Sequence, residues 1–301
     1  MGPPADVGAG RPAGFAVSAL MIAKPGIAIG VAAAGFAGMT LAGRSLPDPG
    51  AGALLIICIL MAAAGSAMIN VVLEAETDAA MPRTAGRAAA LARVGGGTAM
   101  ALSLSLIAVS LTLSLIFINA LTGLLILAAA LSYTVLYTLY LKRRSPFGTV
   151  MGGIPGALPA LIGYAAVRPD IGMDGVILFF IMLLWQPLHF LALSLKHRDE
   201  YAAAGLPVMP VACGEAYTKG FMFIYASALP VLTLSLWAFG YCSAWFAVFA
   251  TGLGGFFLVS CYINVVRNRR YGRAFAASIA YIMLLLMGVV VDVATNGPIS
   301  H

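Results

Sequence analysis

Asn70, Glu74 and Asp78 recur at every fourth position, so on a helix these three oxygen-bearing side chains share one face, drifting about 40° per step. Arg83 and Arg87 follow directly. Hard divalent cations take oxygen ligands, and Mg²⁺ is commonly held by one or two carboxylates together with substrate phosphates. Carboxylates beside arginines therefore suit a metal-bridged diphosphate. Asp199, Glu200 and, further on, Glu215 form a second acidic place. An acid near hydrocarbon is costly and usually lines a cavity or meets a cation. For both places the competing reading is a solvated helix end.

Other residues carry chemistry with more open meanings. Lys142, Arg143 and Arg144 could clamp an anion or simply anchor a loop at the membrane surface. His189 lies in an apolar stretch with Trp185 one turn before it, and its imidazole could ligate iron, bond a carboxylate, move a proton or bridge two helices. Tyr201 could be an interfacial aromatic. His197, set among charges, is expected at the surface. Gly152, Gly153 and Gly156 make no phosphate loop and are expected to let helices approach closely. Pro155, Pro159 and Pro187 are expected to kink helices. Cys58, Cys213, Cys242 and Cys261 form no CxxC pair, so no zinc site or redox dithiol is indicated.

The elements that position these residues follow from composition. The chain of 301 residues is 61% hydrophobic, with a mean hydropathy of +0.99. It holds 17 Lys and Arg with 11 Asp and Glu, where an average soluble chain of this length would hold roughly 75 charged residues. That excludes a water-soluble globule, a disordered chain and a disulfide scaffold. Uncharged stretches run over 25–43, 49–73, 94–141, 145–167, 175–195, 220–266 and 274–291. A helix needs about 20 apolar residues to cross the hydrocarbon core. Five stretches fit one crossing each, and the two long ones fit two each, with turns near Asn119 and at 240–243. The expectation is an all-α polytopic membrane protein, nine transmembrane helices around a central cavity that opens to the cytoplasmic side. Residues 1–15 are expected to be a flexible tail without a signal peptide, and 16–296 a single membrane domain.

Charge orients the helices. With the N-terminus in the cytoplasm, all Lys and Arg fall inside except Arg44 and Arg168, and the C-terminus lies outside. The net charge of +6 is then a property of the membrane surface, and no nucleic-acid partner is implied.

The stretch from Asn70 through Glu74, Glu76, Asp78, Met81, Arg83 and Thr84 to Arg87 resembles the first acidic motif of the UbiA superfamily of intramembrane prenyltransferases. Its tail of Met81, Arg83, Thr84 and Arg87 is similar to the protoheme IX farnesyltransferase (heme O synthase) branch. Four further stretches agree with that branch in order and spacing: 23–26, 137–159, 185–190 and 201–211. The resemblance covers residues 20–294. This chain departs from the family in carrying Glu74 and Glu200 where Asp is usual.

The resemblance implies transfer of a farnesyl group from farnesyl diphosphate to a vinyl group of heme b, giving heme O in a bacterial-type inner membrane. It implies Mg²⁺ as cofactor. Asn70, Glu74 and Asp78 would hold one metal and Asp199 or Glu200 a second, while Arg83, Arg87, Lys142 and Arg143 would clamp the diphosphate. Tyr137, Tyr164, Trp185, Phe190 and Tyr201 would line the cavity around the prenyl cation, with His189 as a heme contact. Heme A synthase or a terminal oxidase could be a partner. The same acidic loops would serve a UbiA-type enzyme with another aromatic or tetrapyrrole acceptor. The two glutamates would also suit a catalytically inactive heme-binding assembly factor. A transporter is disfavoured, because its ionisable residues would lie near the midplane.

Overall fold

A computed structural model describes residues 14–296, which are helical with short connections. The expected tail lies outside the described residues as far as residue 13, as does Arg11 of the charge count. The helices are α1 (Phe15–Ile22), α2 (Pro25–Gly43), α3 (Pro49–Leu73), α4 (Ala75–Ala80), α5 (Pro82–Val94), α6 (Gly96–Phe117), α7 (Ala120–Leu131), α8 (Gly148–Met151), α9 (Ile154–Val167), α10 (Met173–Lys196), α11 (Arg198–Ala203), α12 (Met209–Ala212), α13 (Glu215–Ala238), α14 (Ala244–Cys261) and α15 (Tyr271–Asn296). Two of them widen into π-helix at their ends, α7 over Ser132–Leu141 and α14 over Tyr262–Arg267.

Local sequence explains where the spans begin. Pro25 and Pro49 open α2 and α3, where a missing N–H costs nothing. The Asp48 carboxylate accepts from the N–H groups of Gly50 and Ala51, and Asn119 and Ser243 cap α7 and α14 in the same way. Eight helices are long and apolar enough to cross a membrane, so the chain is a multi-span membrane protein. The ninth crossing of the expected count is α9, of 14 residues, preceded by the single turn of α8. Of the stretch 145–167, only the second part is continuous helix.

Neighbouring spans run α2, α3, α6, α7, α9, α10, α13, α14, α15 and back to α2, with α9 and α10 also packed on α2. Tight approach between α2 and α9 depends on small residues: a Cβ on Gly163 would lie 1.8 Å from the Gly35 carbonyl oxygen, and one on Gly38 2.0 Å from that of Ala160. Near α8, Tyr137 packs on Gly152, and the Gln186 amide lies on Gly156, which bears out the expected close approaches. On α6 the buried positions are Ala99, Ser103, Ser110 and Ser114, while Leu104 and Leu115 point outward. Lipid accepts the leucines, and each serine bonds a backbone carbonyl.

Alternating spans bring Lys24, Leu73, Leu141, Ile154, Lys196, Glu215 and Tyr271 to one end of the bundle, called the acidic end. The far end is tied by Arg44, which donates to the Tyr241 carbonyl at 2.7 Å and to Asp174 at 2.9 Å. Tyr164 also donates to Asp174, at 2.7 Å. Its burial beside Asp174 gives Tyr164 a structural role there, at the opposite end from the acidic motif.

Candidate active site

The expected continuous helix through Asn70, Glu74 and Asp78 is interrupted once. Glu74 ends α3 and starts α4, with φ −108° and ψ 15°. The bonds from Glu74 N–H to the Asn70 carbonyl and from Asp78 N–H to the Glu74 carbonyl bridge the break, so the fourfold register survives. All three side chains are buried, at 2%, 4% and 2% exposure, whereas Glu76 faces out. The shared face read from the spacing is therefore the inner face.

Each member of that face meets a cation. Lys24 Nζ donates to Asn70 Oδ1 at 2.5 Å. An ammonium has no lone pair, which fixes the amide orientation and turns Asn70 Nδ2 to Thr138 Oγ1 at 2.9 Å. Lys142 Nζ lies 2.6 Å from both oxygens of Glu74. Arg87 lies 3.8 Å from Asp78 Oδ1. Asp78 Oδ2 is buried with no hydrogen-bond partner.

Lys24 was legible only as part of a motif, yet it caps this face. It adopts φ 53°, ψ 60° immediately before Pro25, a left-handed conformation that a non-glycine residue rarely holds. The turn between α1 and α2 thereby aims its side chain at Asn70. Burial, and next the Arg87 guanidinium, push the Lys24 ammonium down to about 7, against the pull of Glu74 and Asp78.

The second acidic place joins the first through Arg83. Its backbone N–H donates to Glu200 at 3.2 Å, and its guanidinium donates to the Tyr201 hydroxyl at 3.1 Å. Met81 packs with Tyr201, Leu206 and Val208, so apolar contact holds the two loops together beneath the charges. His197, expected at the surface, is half-buried and bonds Glu200 at 2.6 Å. That bond, with Arg83, holds the Glu200 carboxyl below the ordinary glutamate range, and burial raises the Tyr201 phenol. Asp199 is exposed at the start of α11. Glu215 separates from this pair: it binds Arg269, Lys219 and Tyr271, joining α13 to α15.

Tyr137 stacks on Tyr133 at 5.9 Å, within electrostatic reach of Glu74, Arg83 and Tyr201. Arg143 lies at the rim, donating to the Leu73 carbonyl at 3.3 Å. Phe190 stands 6.4 Å from the Tyr201 ring. Trp185 and His189 stack together deeper in α10, at 4.6 Å.

The donor set fits a divalent cation in kind. Asn70, Glu74 and Asp78 supply one amide and two carboxylate groups, and the unpartnered Asp78 Oδ2 is an oxygen with unused acceptor capacity. Three cations, Lys24, Arg87 and Lys142, stand on these groups, and Arg83 lies on the neighbouring Glu200 and Tyr201. That excess of positive charge suits a polyanion bound together with a metal.

A family model described as the UbiA prenyltransferase family matches residues 31–287. The chain belongs to the UbiA prenyltransferase family. This prenyltransferase is 49% identical over 258 residues to a protein named protoheme IX farnesyltransferase from Geotalea uraniireducens (strain Rf4), which covers 86% of this chain and 100% of that one. It is 34% identical over 274 residues to one of the same name from Aquifex aeolicus (strain VF5), covering 91% and 94%. Among solved structures, a UbiA homolog from Archaeoglobus fulgidus bound to GPP and Mg²⁺ matches with a TM-score of 0.61 at 17% identity, covering 90% of this prenyltransferase and 99% of that chain. A digeranylgeranylglyceryl phosphate synthase matches with a TM-score of 0.74 at 18% identity, over 93% and 98%.

Proposed function

We propose that this prenyltransferase moves a farnesyl group from farnesyl diphosphate to a vinyl group of heme b, giving heme O. The observation that carries the reading is the buried Asn70, Glu74 and Asp78 face with Lys24, Lys142 and Arg87 directly upon it. The acceptor is inferred from the 49% identity to a protoheme IX farnesyltransferase over that relative's whole length. Asn70, Glu74 and Asp78 would hold Mg²⁺, and Asp199 or Glu200 a second ion. When bound, the metal supplies charge stabilisation for the departing diphosphate.

The chain's own residues do the rest. Lys142, Arg83 and Arg87 bind diphosphate oxygens, and Arg143 receives them at the rim. Their fixed charges meet the negative charge that grows as the allylic C–O bond breaks and its electron pair leaves with the diphosphate. Tyr137 and Tyr201 offer aromatic faces to the allylic cation and exclude water. The vinyl π-electrons then form the new C–C bond, and water adds its hydroxyl to the resulting cation with loss of a proton. Trp185 and His189 contact the heme. The positive-inside pattern supports an inner-membrane protein with its N-terminus and acidic end in the cytoplasm and its C-terminus outside. Docking to heme A synthase or a terminal oxidase would let the product pass on within the bilayer.

A second reading, a heme-binding protein without transfer activity, draws on Glu200, whose oxygens are engaged by His197 and Arg83. One assay separates the two. Membranes containing the protein are incubated with heme b, farnesyl diphosphate and Mg²⁺, and the hydroxyethylfarnesyl product is sought by mass spectrometry. Product carries the first reading; none, beside an active relative, rejects it.

A further inference from the structure

One residue of α15 grips two residues of α10. Trp185 Nε1 donates to the Ser278 carbonyl at 2.8 Å, and His189 Nδ1 lies 2.8 Å from Ser278 Oγ. Ser278 is fully buried, and its hydroxyl also lies 2.7 Å from the Phe275 carbonyl oxygen. A serine hydroxyl has a single proton. If that proton pointed at His189, an Oγ lone pair would face the Phe275 oxygen, placing two acceptors in contact. With the proton on the Phe275 carbonyl, Oγ accepts and His189 Nδ1 donates. The imidazole is then the Nδ1–H tautomer, with its in-plane lone pair on Nε2.

The faces of the ring are covered as well. Trp185 stacks on it at 4.6 Å and 23°, and Phe275 at 4.3 Å and 27°. Only an edge remains to meet a ligand. Nε2 makes no hydrogen bond among the described residues, and the ring is half-buried, so this edge is not sealed. Histidines that bind metals are set up in this way, with one ring N–H held by a neighbouring acceptor and the other nitrogen left bare.

We propose that Ser278 fixes the tautomer of His189 so that Nε2 ligates the iron of a planar metal-tetrapyrrole acceptor. This rests on the heme acceptor proposed above. Ser278 touches no reacting atom and is a positioning residue. His189 lies roughly 10 Å from Lys196 along α10, at 1.5 Å per residue, so ligation seats the macrocycle within the span, deeper than the helix ends that carry the acidic face.

The test uses the full chain in detergent, labelled with ¹⁵N-histidine. The sequence has three histidines, and His189→Gln identifies the relevant signals. Without heme, His189 is expected to show a protonated Nδ1 and a bare Nε2, in the wild type and in Ser278→Thr, while Ser278→Ala loses that preference. Ferric heme b is then titrated. The wild type and Ser278→Thr give the absorption and EPR spectra of imidazole-ligated iron, His189→Gln loses them, and Ser278→Ala weakens heme binding by roughly tenfold or more, as outer partners of metal ligands do. An Nε2–H tautomer in the wild type, or imidazole-ligated iron surviving in His189→Gln, overturns the proposal. Prenylated product is measured on the same preparations. Product formed without histidine-ligated iron rejects the ligand assignment and leaves the transfer reading standing; heme that neither binds nor reacts rejects both.

Discussion

Lys142 Nζ sits 2.6 Å from both carboxylate oxygens of Glu74, a pair formed between the π-helical end of α7 and the break between α3 and α4. Removing one partner of a buried pair leaves an uncompensated charge and costs about 3–5 kcal/mol. Lys142→Met is therefore expected to lower the melting temperature in the absence of divalent cations. Added Mg²⁺ should restore part of it, because a cation at Glu74 replaces the lost ammonium. Melting curves with and without Mg²⁺ check this; an equal loss in both conditions would remove Glu74 from the metal assignment.

Asp78 keeps one oxygen, Oδ2, buried and without a partner. Asp78→Asn preserves the shape and removes the charge. Turnover is expected to fall by about 10²–10³-fold, the scale of losing one electrostatic contact to the transition state. The protein should still insert and migrate as the wild type does. Steady-state assays on detergent-purified protein measure the drop, and activity within a factor of two of wild type would contradict it.

Gly163 faces the backbone of Gly35, where a Cβ would approach to 1.8 Å. Backbone cannot step aside as a flexible side chain can. Gly163→Ala must therefore push α9 from α2, at a cost of about 1–3 kcal/mol or more, and should sharply reduce the yield of folded protein. Gly30→Ala, on the same α2, meets nothing within 4 Å and serves as the control. Fluorescence-detected size-exclusion chromatography compares them.

At the far end, Arg44 is the cationic partner of Asp174, which is 2% exposed. Arg44→Met alone should destabilise the protein by about 3–5 kcal/mol, and adding Asp174→Asn should recover part of that loss. The turnover of the folded fraction should stay unchanged, since the pair lies at the opposite end from the acidic face. A double-mutant cycle on thermal stability, with activity normalised to folded protein, decides it.

Sequence made the span boundaries legible where charges or caps mark them. The stretches 25–43 and 49–73 match α2 and α3 because Lys24, Arg44, Asp48 and Glu74 bracket them. The acidic face was legible because a fourfold spacing survives a single helix break. Partners were not legible. Periodicity says which side chains share a face of one helix, whereas the contacts of Lys24 with Asn70 and Ser278 with His189 depend on which helices become neighbours. His197, expected at the surface, is half-buried on Glu200 three residues on, and that carboxylate also accepts from the backbone N–H of Arg83, far away in sequence. Nor does hydropathy show that α9 is short or that α7 ends in a wider coil.

That wider coil gives the chain a length requirement. In residues 132–141 the backbone bonds reach five residues back, as from Lys142 N–H to the Tyr137 carbonyl, and Thr138 Oγ1 donates to the Tyr133 carbonyl across the same interval. In an ordinary α-helix, residues five apart diverge by about 140° around the axis. Deleting one apolar residue here would let the segment relax to the tighter coil and rotate Lys142 away from Glu74. Along this stretch the residue count behaves like a reading frame: a substitution at an outward position such as Leu139 should be absorbed where a single insertion or deletion is not.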